Sequence, residues 1–519
     1  MEAGGGAPRV TDLPSGLAPL VLQGHVIDRL RELPDDSIQC VVTSPPFFGL
    51  RRYDICGCAV AYRAEDPVGR TDVGGGGAQS SINQRETKPD PSCPWCHGTG
   101  KIEGMNGVLW GGSAGCVHEW EETAPRRART ANDSPNSPLQ QGNRGASYDA
   151  SGGKLCAKCN GWLGQFGLEP TVQMYIAHAV EVFREVRRVL RGDGTCWVEI
   201  GDSYASNPLK GGSGTPNGRN GRGEDYQRAG LGGIAPKNLI LVPQRLAISL
   251  QDDGWIVRSI VVWYRTNPMP ESVRDRPTQA HSYVLMLTKS PRYFHDADAV
   301  REDNAPRFRE PSWVERGPTK PMGSPGGNGG LRQGNAMAYN GLGRNLRSVW
   351  AIPTKGYPGA HFATFPESLP ERCILASTSE KGACPKCGAP WERITSCDYV
   401  VHRSSNIQEQ PKQAGKVLTG ASSERGFVVA AATRVSATLG WEPACSCGES
   451  ATVPCTVLDP FAGSGTTLAV AKRLGRASVG IEMNPMYVSL IRQRVAEAIT
   501  ESVHHPSQRR LVEFGEATA

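Results

Sequence analysis

Near the end of the chain, Val457-Leu458-Asp459-Pro460-Phe461-Ala462-Gly463-Ser464-Gly465-Thr466-Thr467 is an apolar strand that breaks into a glycine turn and runs on into a helical pattern reaching Leu474. Gly463 and Gly465 lack a Cβ, so the backbone there can take positive φ and come close to a ligand. The helix that follows presents unpaired N–H groups to the same place. The next strand, Arg476 to Glu482, ends on a carboxylate. An acid roughly 20 residues past such a turn is where doubly wound sheets grip a pair of ribose hydroxyls. The residue types therefore describe a nucleoside cradle, with Asp459, Phe461, Gly463, Gly465, Thr466 and Glu482 as its candidate contacts. The G-x-G-x-x-G pattern of NAD folds is absent.

A second reactive stretch lies near the other end. The buried-type strand Ile38 to Thr43 stops at Ser44-Pro45-Pro46-Phe47. Proline cannot donate to a sheet ladder, so the strand ends there and its carbonyls stay free. A third set is made of cysteines in close pairs: Cys56-x-Cys58, Cys93-x-x-Cys96, Cys116-x-His118, Cys156-x-x-Cys159, Cys384-x-x-Cys387 and Cys445-x-Cys447. In a reducing compartment this spacing reads as zinc, which takes four thiolate or imidazole ligands, two from each knuckle. Pairing of neighbouring knuckles is the expectation, although other pairings fit the spacing equally well.

Asp-Pro-Phe-x-Gly-x-Gly-Thr-Thr resembles the S-adenosylmethionine (AdoMet) turn of DNA amino-methyltransferases, and Thr43-Ser44-Pro45-Pro46-Phe47 resembles their catalytic tetrapeptide. The tetrapeptide comes first and the AdoMet turn last, which is the permuted order of the β group. The resemblance covers residues 20–55, 165–295 and 345–500. It implies that Ser44, Pro45, Pro46 and Phe47 are catalytic and that AdoMet is the cofactor. It further implies that the segment with Phe365 and Pro366 packs against the methionine end of AdoMet. His25 stands where the family usually has an aspartate touching the adenine amine; a neutral imidazole can still accept a hydrogen bond. Serine as the first tetrapeptide residue is more typical of cytosine N4 than of adenine N6 enzymes. Cys93-Pro-Trp-Cys96-His-Gly-Thr-Gly resembles a chaperone-type cysteine knuckle, and the pair Cys384/Cys387 with Cys445/Cys447 resembles a zinc ribbon.

The elements that must position these residues follow from apolar periodicity. Val21 to Leu33 reads as strand, then Gly24-His25, then a short helix; Thr171 caps a helix whose stripe runs from Tyr175 to Leu190 and is ended by Gly192-Asp193-Gly194. Thr195 to Tyr204 is a buried strand entering a loop, with Asp202 and Tyr204 as candidates for the base pocket. Leu239 to Leu250 reads as a helix, Trp255 to Trp263 and His281 to Thr288 as strands, and Leu369 to Ser377 and Pro485 to Ala498 as helices. Arg274 and Arg276 are candidate phosphate contacts. The predicted architecture is an α/β, doubly wound, Rossmann-like methyltransferase sheet with cysteine-rich zinc-binding insertions. Residues 15–55 and 165–300 form its catalytic half and 346–383 with 451–505 its AdoMet-binding half. Residues 56–164 and 384–450 are zinc insertions, and 301–345 is a loop suited to target recognition.

Composition bounds the partners. The chain has 519 residues, 62 of them glycine and 39 proline, so long loops must alternate with packed structure. A net charge of +6 suits a polyanion, though weakly for this size. No run approaches the ~18 apolar residues of a membrane span, which predicts a soluble protein in the cytoplasm of a bacterial or phage-infected cell. The expected partner is double-stranded DNA, with a cognate restriction endonuclease as a second; nothing in the sequence specifies an oligomeric state. Two rivals are an adenine-N6 enzyme and a zinc-dependent nucleic-acid binder without catalysis. Pro454-Cys455 looks like the nucleophile of cytosine-C5 enzymes, but it precedes the AdoMet strand at its entry end and reads as structural.

Overall fold

The computed structural model describes residues 13–48, 108–122, 153–205, 233–302, 343–355, 365–402 and 431–498, less 15, 114, 236, 272, 397 and 436–437, together with three short strands at 60–62, 84–86 and 339–340. Its centre is an eight-stranded sheet. In chain order the strands are β1 (Leu20–Gln23), β2 (Ile38–Thr43), β3 (Leu190–Ile200), β4 (Ile256–Tyr264), β5 (His281–Thr288), β6 (Val349–Ala351), β7 (Thr456–Asp459) and β8 (Ala477–Glu482). Their spatial order is β1-β8-β7-β2-β3-β5-β4-β6. The five strands from β1 to β3 are mutually parallel, and β5 runs antiparallel to both of its neighbours.

Every residue of β2 and β7 is buried, the pattern of a parallel sheet covered on both faces. Alternation sorts the side chains. Val41, Val198, Leu285 and Leu458 join a core with the helices α1 (Val26–Glu32), α2 (Val172–Val189) and α3 (Val242–Asp252). Cys40, Val42, Trp197, Val284 and Val457 point the other way, onto α4 (Ser368–Ser377) and α5 (Thr466–Arg473). The sixth helix, α6 (Pro485–Glu497), packs on α5 through Ile491 and Val495. The sheet is thus layered by helices on both faces, as the sequence predicts. Each fully buried aliphatic side chain in these layers contributes about 1.5–3 kcal/mol relative to exposure.

The junction between α2 and β3 differs from the expectation. The helix predicted to end at Gly192-Asp193-Gly194 ends at Val189, and Leu190 already belongs to β3. Leu190 is fully buried and pairs with Ile38, while Thr195 pairs with Cys40. Burial of Leu190 thus claims the backbone for the sheet before the glycines arrive, and residues 191–194 are pushed out as a bulge. The Thr171 cap is present: its hydroxyl accepts from Met174 N at 3.2 Å.

Smaller units surround the sheet. Residues 109–110, 162–163, 154–156 and 120–122 form a four-stranded sheet, and Trp391–Thr395 pairs with Thr438–Pro443. Among the described residues no helix is long and apolar enough to cross a membrane. The predicted ligands Cys56, Cys58, Cys93 and Cys96, and nearly all of the predicted recognition loop, lie outside the described residues.

Candidate active site

Strands β2 and β7 are neighbours, with Val457 against Cys40 and Leu458 against Val41, so their carboxyl ends open side by side. A buried latch fixes them. Thr43 Oγ1 donates to Asp459 Oδ1 at 2.7 Å, Thr467 Oγ1 donates to Oδ2 at 2.8 Å, and Phe461 N donates to Oδ1 at 3.1 Å. One carboxylate therefore joins the proline strand, the glycine turn and the first turn of α5. Burial pushes its pKa up to about 6 against the pull of these donors. Above the latch lies a cleft of roughly 1170 Å³, its open mouth included. Ser44, Pro45, Pro46 and Phe47 line one side; Asp459, Phe461, Gly463, Thr466 and Glu482 line the other, and His25 and Phe365 complete the wall.

The glycine turn is built as its residue types demand. Gly463 has φ 52° and Gly465 has φ 78° as the N-cap of α5. Gly480, on β8 beneath it, leaves room for Leu468, which a Cβ would meet at 2.7 Å. Glu482 at the end of β8 accepts from Gly463 N at 2.9 Å and from Asn484 N at 2.8 Å. Burial pushes its pKa up to about 7. Arg494 steadies the turn by donating to Ser464 Oγ at 3.0 Å and Thr466 Oγ1 at 2.9 Å, and to Glu367 at 3.0 Å. His25 Nε2 is buried without a hydrogen-bond partner, and burial lowers the pKa of the ring, which favours the neutral imidazole.

On the proline side, Ser44 Oγ donates to Glu199 Oε2 at 2.7 Å, and Ser282 Oγ donates to Glu199 Oε1 at 2.9 Å. Glu199 is buried near the carboxyl end of β3. With its proton engaged, Ser44 Oγ offers only lone pairs to the cleft. Tyr175 Oη donates to the Pro46 carbonyl at 2.9 Å, whereas among the described residues no donor meets the carbonyl of Pro45. The Phe47 ring lies on the backbone of Gly201, where a Cβ would sit 2.8 Å from the ring.

A family model described as DNA methylase, of the N6/N4 methyltransferase type, matches residues 38–384 and 453–493. The chain belongs to this DNA methylase family. Among the relatives of this methylase, the type II methyltransferase M.SmaI of Serratia marcescens is 31% identical over 341 residues, which are 64% of this chain and 77% of the relative. M.Cfr9I of Citrobacter freundii is 34% identical over 332 residues, 64% of this chain and 74% of the relative. Of solved structures, the cytosine-N4-specific PvuII DNA methyltransferase aligns at 13% identity over 96% of this chain and 94% of its own, with a TM-score of 0.39. A DNA modification methylase of Thermus thermophilus, complexed with S-adenosyl-L-methionine, aligns at 14% identity over 94% of this chain and 98% of its own, with a TM-score of 0.35. The methylase is an enzyme of the DNA amino-methyltransferase class, N4 or N6.

Several predicted residues of the methylase sit elsewhere. Pro366 is buried two residues ahead of α4, its carbonyl accepts from Leu369 N at 3.0 Å, and it does not line the cleft. Gly465 turns away onto Ile491. Asp202 does not line the cleft: its Oδ1 accepts from Ser203 N at 2.8 Å and Val242 N at 3.1 Å, capping α3. Tyr204 is covered by the Arg276 guanidinium 3.8 Å from its ring, and Arg276 also donates to Glu271 at 2.7 Å. Cys455 is buried, and burial pushes its thiol up to about 11, so it rests protonated and out of reach.

Two cysteine clusters assemble. Cys116, His118, Cys156 and Cys159 converge, as do Cys384, Cys387, Cys445 and Cys447, each set with its ligand atoms within 4.8 Å of one another. The pairing of neighbouring knuckles is what the described residues adopt. Two features escaped the sequence reading. Glu199 carried a readable signal, since a lone acid inside the apolar run Thr195–Ile200 must find buried partners. Trp110, which lines the cleft from the cysteine-rich insertion, carried none.

Proposed function

We propose that the enzyme is a site-specific DNA methyltransferase that uses AdoMet to methylate the exocyclic amine of a flipped-out base, cytosine N4 in the first instance. The observation that carries this reading is the shared cleft, where a serine with only lone pairs to offer faces a glycine cradle ending in a buried carboxylate. The residues fit AdoMet. Glu482 can take the ribose hydroxyls, the Gly463 backbone approaches closely, and the orphaned Nε2 of His25 is an acceptor suited to the adenine amine. Bound there, the cofactor supplies an electrophilic methyl group.

The chain's own part is positioning and electrostatics. An exocyclic amine is a poor nucleophile because its lone pair is delocalised into the ring, and in a duplex it is out of reach, so the base must leave the stack. Ser44 Oγ and the Pro45 carbonyl accept the two amine hydrogens, which draws the nitrogen towards sp³ and aims its lone pair across the cleft. Phe47 supplies the face on which the extruded base stacks. Glu199 keeps Ser44 in the accepting orientation. The nitrogen would take the methyl group as the S–CH3 bond of the cofactor breaks to leave a neutral thioether, and would then give one proton to solvent, with no covalent bond to the enzyme.

Serine in the tetrapeptide, a resemblance to N4 enzymes, favours cytosine; adenine N6 is the alternative within the same chemistry. The division into a catalytic half, an AdoMet half and two inserted metal modules, with structural zinc in the two clusters, belongs to the same proposal. So do double-stranded DNA as substrate, a partner endonuclease and a cytoplasmic setting. Single-molecule sequencing of DNA from cells expressing the protein identifies base and site together. Unmodified DNA, or loss of AdoMet in equilibrium dialysis, would leave a zinc-dependent binder as the better description. Ser44→Ala is expected to lower the transfer rate by about 10²–10³-fold, the cost of removing one preorganised hydrogen-bonding group.

A further inference from the structure

The two cysteine clusters sit at opposite ends of the sheet. Gln39, at the start of β2, donates to the Gly388 carbonyl of the Cys384/Cys387 knuckle at 3.0 Å and accepts from Thr456 N at 2.7 Å. Arg191 in the β3 bulge donates to the Cys387 carbonyl. That cluster therefore docks on the amino ends of β2 and β7, away from the cleft. The Cys116/His118/Cys156/Cys159 cluster does not line the cleft but lies beside the short strands that bring Trp110 and Gly164 to its wall.

Its connection to the cleft is short. Cys156 N donates to the Gly161 carbonyl at 2.7 Å and Asn160 N to the Cys156 carbonyl at 2.9 Å, closing the cysteine turn. The backbone at Gly112 is pressed on that turn; a Cβ there would lie 2.9 Å from Gly161 Cα and 3.0 Å from Cys159 Sγ. Directly beside it, Trp110 pairs in register with Trp162, and its indole Nε1 donates to the Gly164 carbonyl at 3.2 Å. Trp110 stacks on Phe166 at 4.9 Å and meets the His25 ring edge-on at 4.6 Å; Phe166 stacks on Phe461 of the glycine turn at 5.7 Å. Behind this row, His178 of α2 lies between Trp110 and Trp162 and is held by Glu169 at 3.1 Å.

The cluster itself has the dimensions of a metal cage. Cys116 Sγ and Cys156 Sγ are 3.8 Å apart, far beyond a disulfide and equal to the edge of a tetrahedron with Zn–S bonds of about 2.3 Å. The surrounding strands are only two or three residues long, too little to hold the cysteine turn without a bound ion.

We infer that zinc in this cluster sets the wall of the cofactor half of the cleft, by fixing the cysteine turn against Gly112 and so holding Trp110 and Phe166 over His25 and Phe461. This rests on the AdoMet reading of the cleft and adds a role for one of the two metal sites that the other does not share.

The test compares full-length Cys159→Ser, Cys447→Ser and Trp110→Ala with the parent, measuring zinc by mass spectrometry and AdoMet affinity by equilibrium dialysis. Cys159→Ser is expected to lose about one zinc relative to the parent and to raise the AdoMet Kd about tenfold or more, the scale of losing aromatic contacts across a binding wall. Cys447→Ser is expected to lose the same amount of zinc with its Kd within about twofold of the parent, because only the remote site is emptied. Trp110→Ala should keep its zinc and raise the Kd about tenfold, which tests the wall even where the cysteine variant does not fold. Unchanged AdoMet affinity in Cys159→Ser after zinc loss, or in Trp110→Ala, would overturn the inference. So would equal weakening by Cys447→Ser, or a parent without zinc. A parent that binds no AdoMet would instead remove the methyltransferase reading.

Discussion

Replacing Glu199 with glutamine isolates the charge behind Ser44. The amide has the shape of the carboxylate, so its oxygen can keep accepting from Ser44 Oγ, now at 2.7 Å, while its NH2 donates to Ser282 Oγ, now at 2.9 Å. Geometry survives and the negative charge is lost. A hydrogen bond to a charged partner contributes about 1.5–3 kcal/mol against about 1 kcal/mol for a neutral one, so Ser44 loses about 0.5–2 kcal/mol of polarisation as an acceptor. Expressed in the transition state alone, that is about 2–30-fold in rate. Single-turnover methylation, with enzyme and AdoMet preassembled and DNA added in excess of its Kd, reads the step directly. AdoMet affinity should be unchanged, because Glu199 lies on the proline side of the cleft. Ser282→Ala, which leaves the Ser44 contact in place, should slow the step by no more than about threefold, since only a neutral neighbour of the acid is removed. A Glu199→Gln enzyme that transfers methyl within about twofold of the parent rate refutes the argument that the acid tunes Ser44.

Glu482 should make cofactor binding depend on pH. Its pKa of about 7 lies above the ordinary carboxylate range, and ribose hydroxyls donate best to the ionised form, so binding lowers it. Affinity for AdoMet is therefore expected to fall as pH drops through about 7 and to level off above it, a slope that calorimetry should find missing in Glu482→Gln. Gly465→Ala places a side chain at φ 78° with its Cβ 3.2 Å from Ile491, and should cost about 1–2 kcal/mol of stability in denaturant unfolding. Cys455→Ser should transfer methyl at the parent rate, since the thiol, pushed up to about 11, has no part in the reaction; a dead variant would reopen a cysteine-nucleophile mechanism.

The readable parts of the fold were those whose cause is local. Strand β5 was predicted with its observed limits because an apolar run between polar ends has one way to be buried. Helix α3 was read three residues early at its start. Leu241 is in the left-handed region and the Val242 N–H is capped by Asp202, 40 residues back, so the boundary is set by a partner the local sequence does not reveal. The same holds in the site. Phe365 and Pro366 were both assigned to the methionine end of AdoMet; Phe365 lines the cleft, whereas Pro366 is buried just ahead of α4 and does not.

What the sequence by itself determined is the set of backbone events that residue type dictates: a turn that needs glycine at 463 and 465, a strand halted by Pro45-Pro46, and cysteines spaced for two ligands per knuckle. Those depend on φ limits, missing donors and chain length, all local properties. Only the tertiary structure decided that Asp459 would latch Thr43 across 416 positions and that Ser44 would be governed by an acid 155 residues away. It also decided that a tryptophan from the cysteine insertion would wall the cleft. Such contacts are chosen by which buried polar groups and rings meet when two faces of a sheet are covered, and spacing along the chain carries no record of that choice.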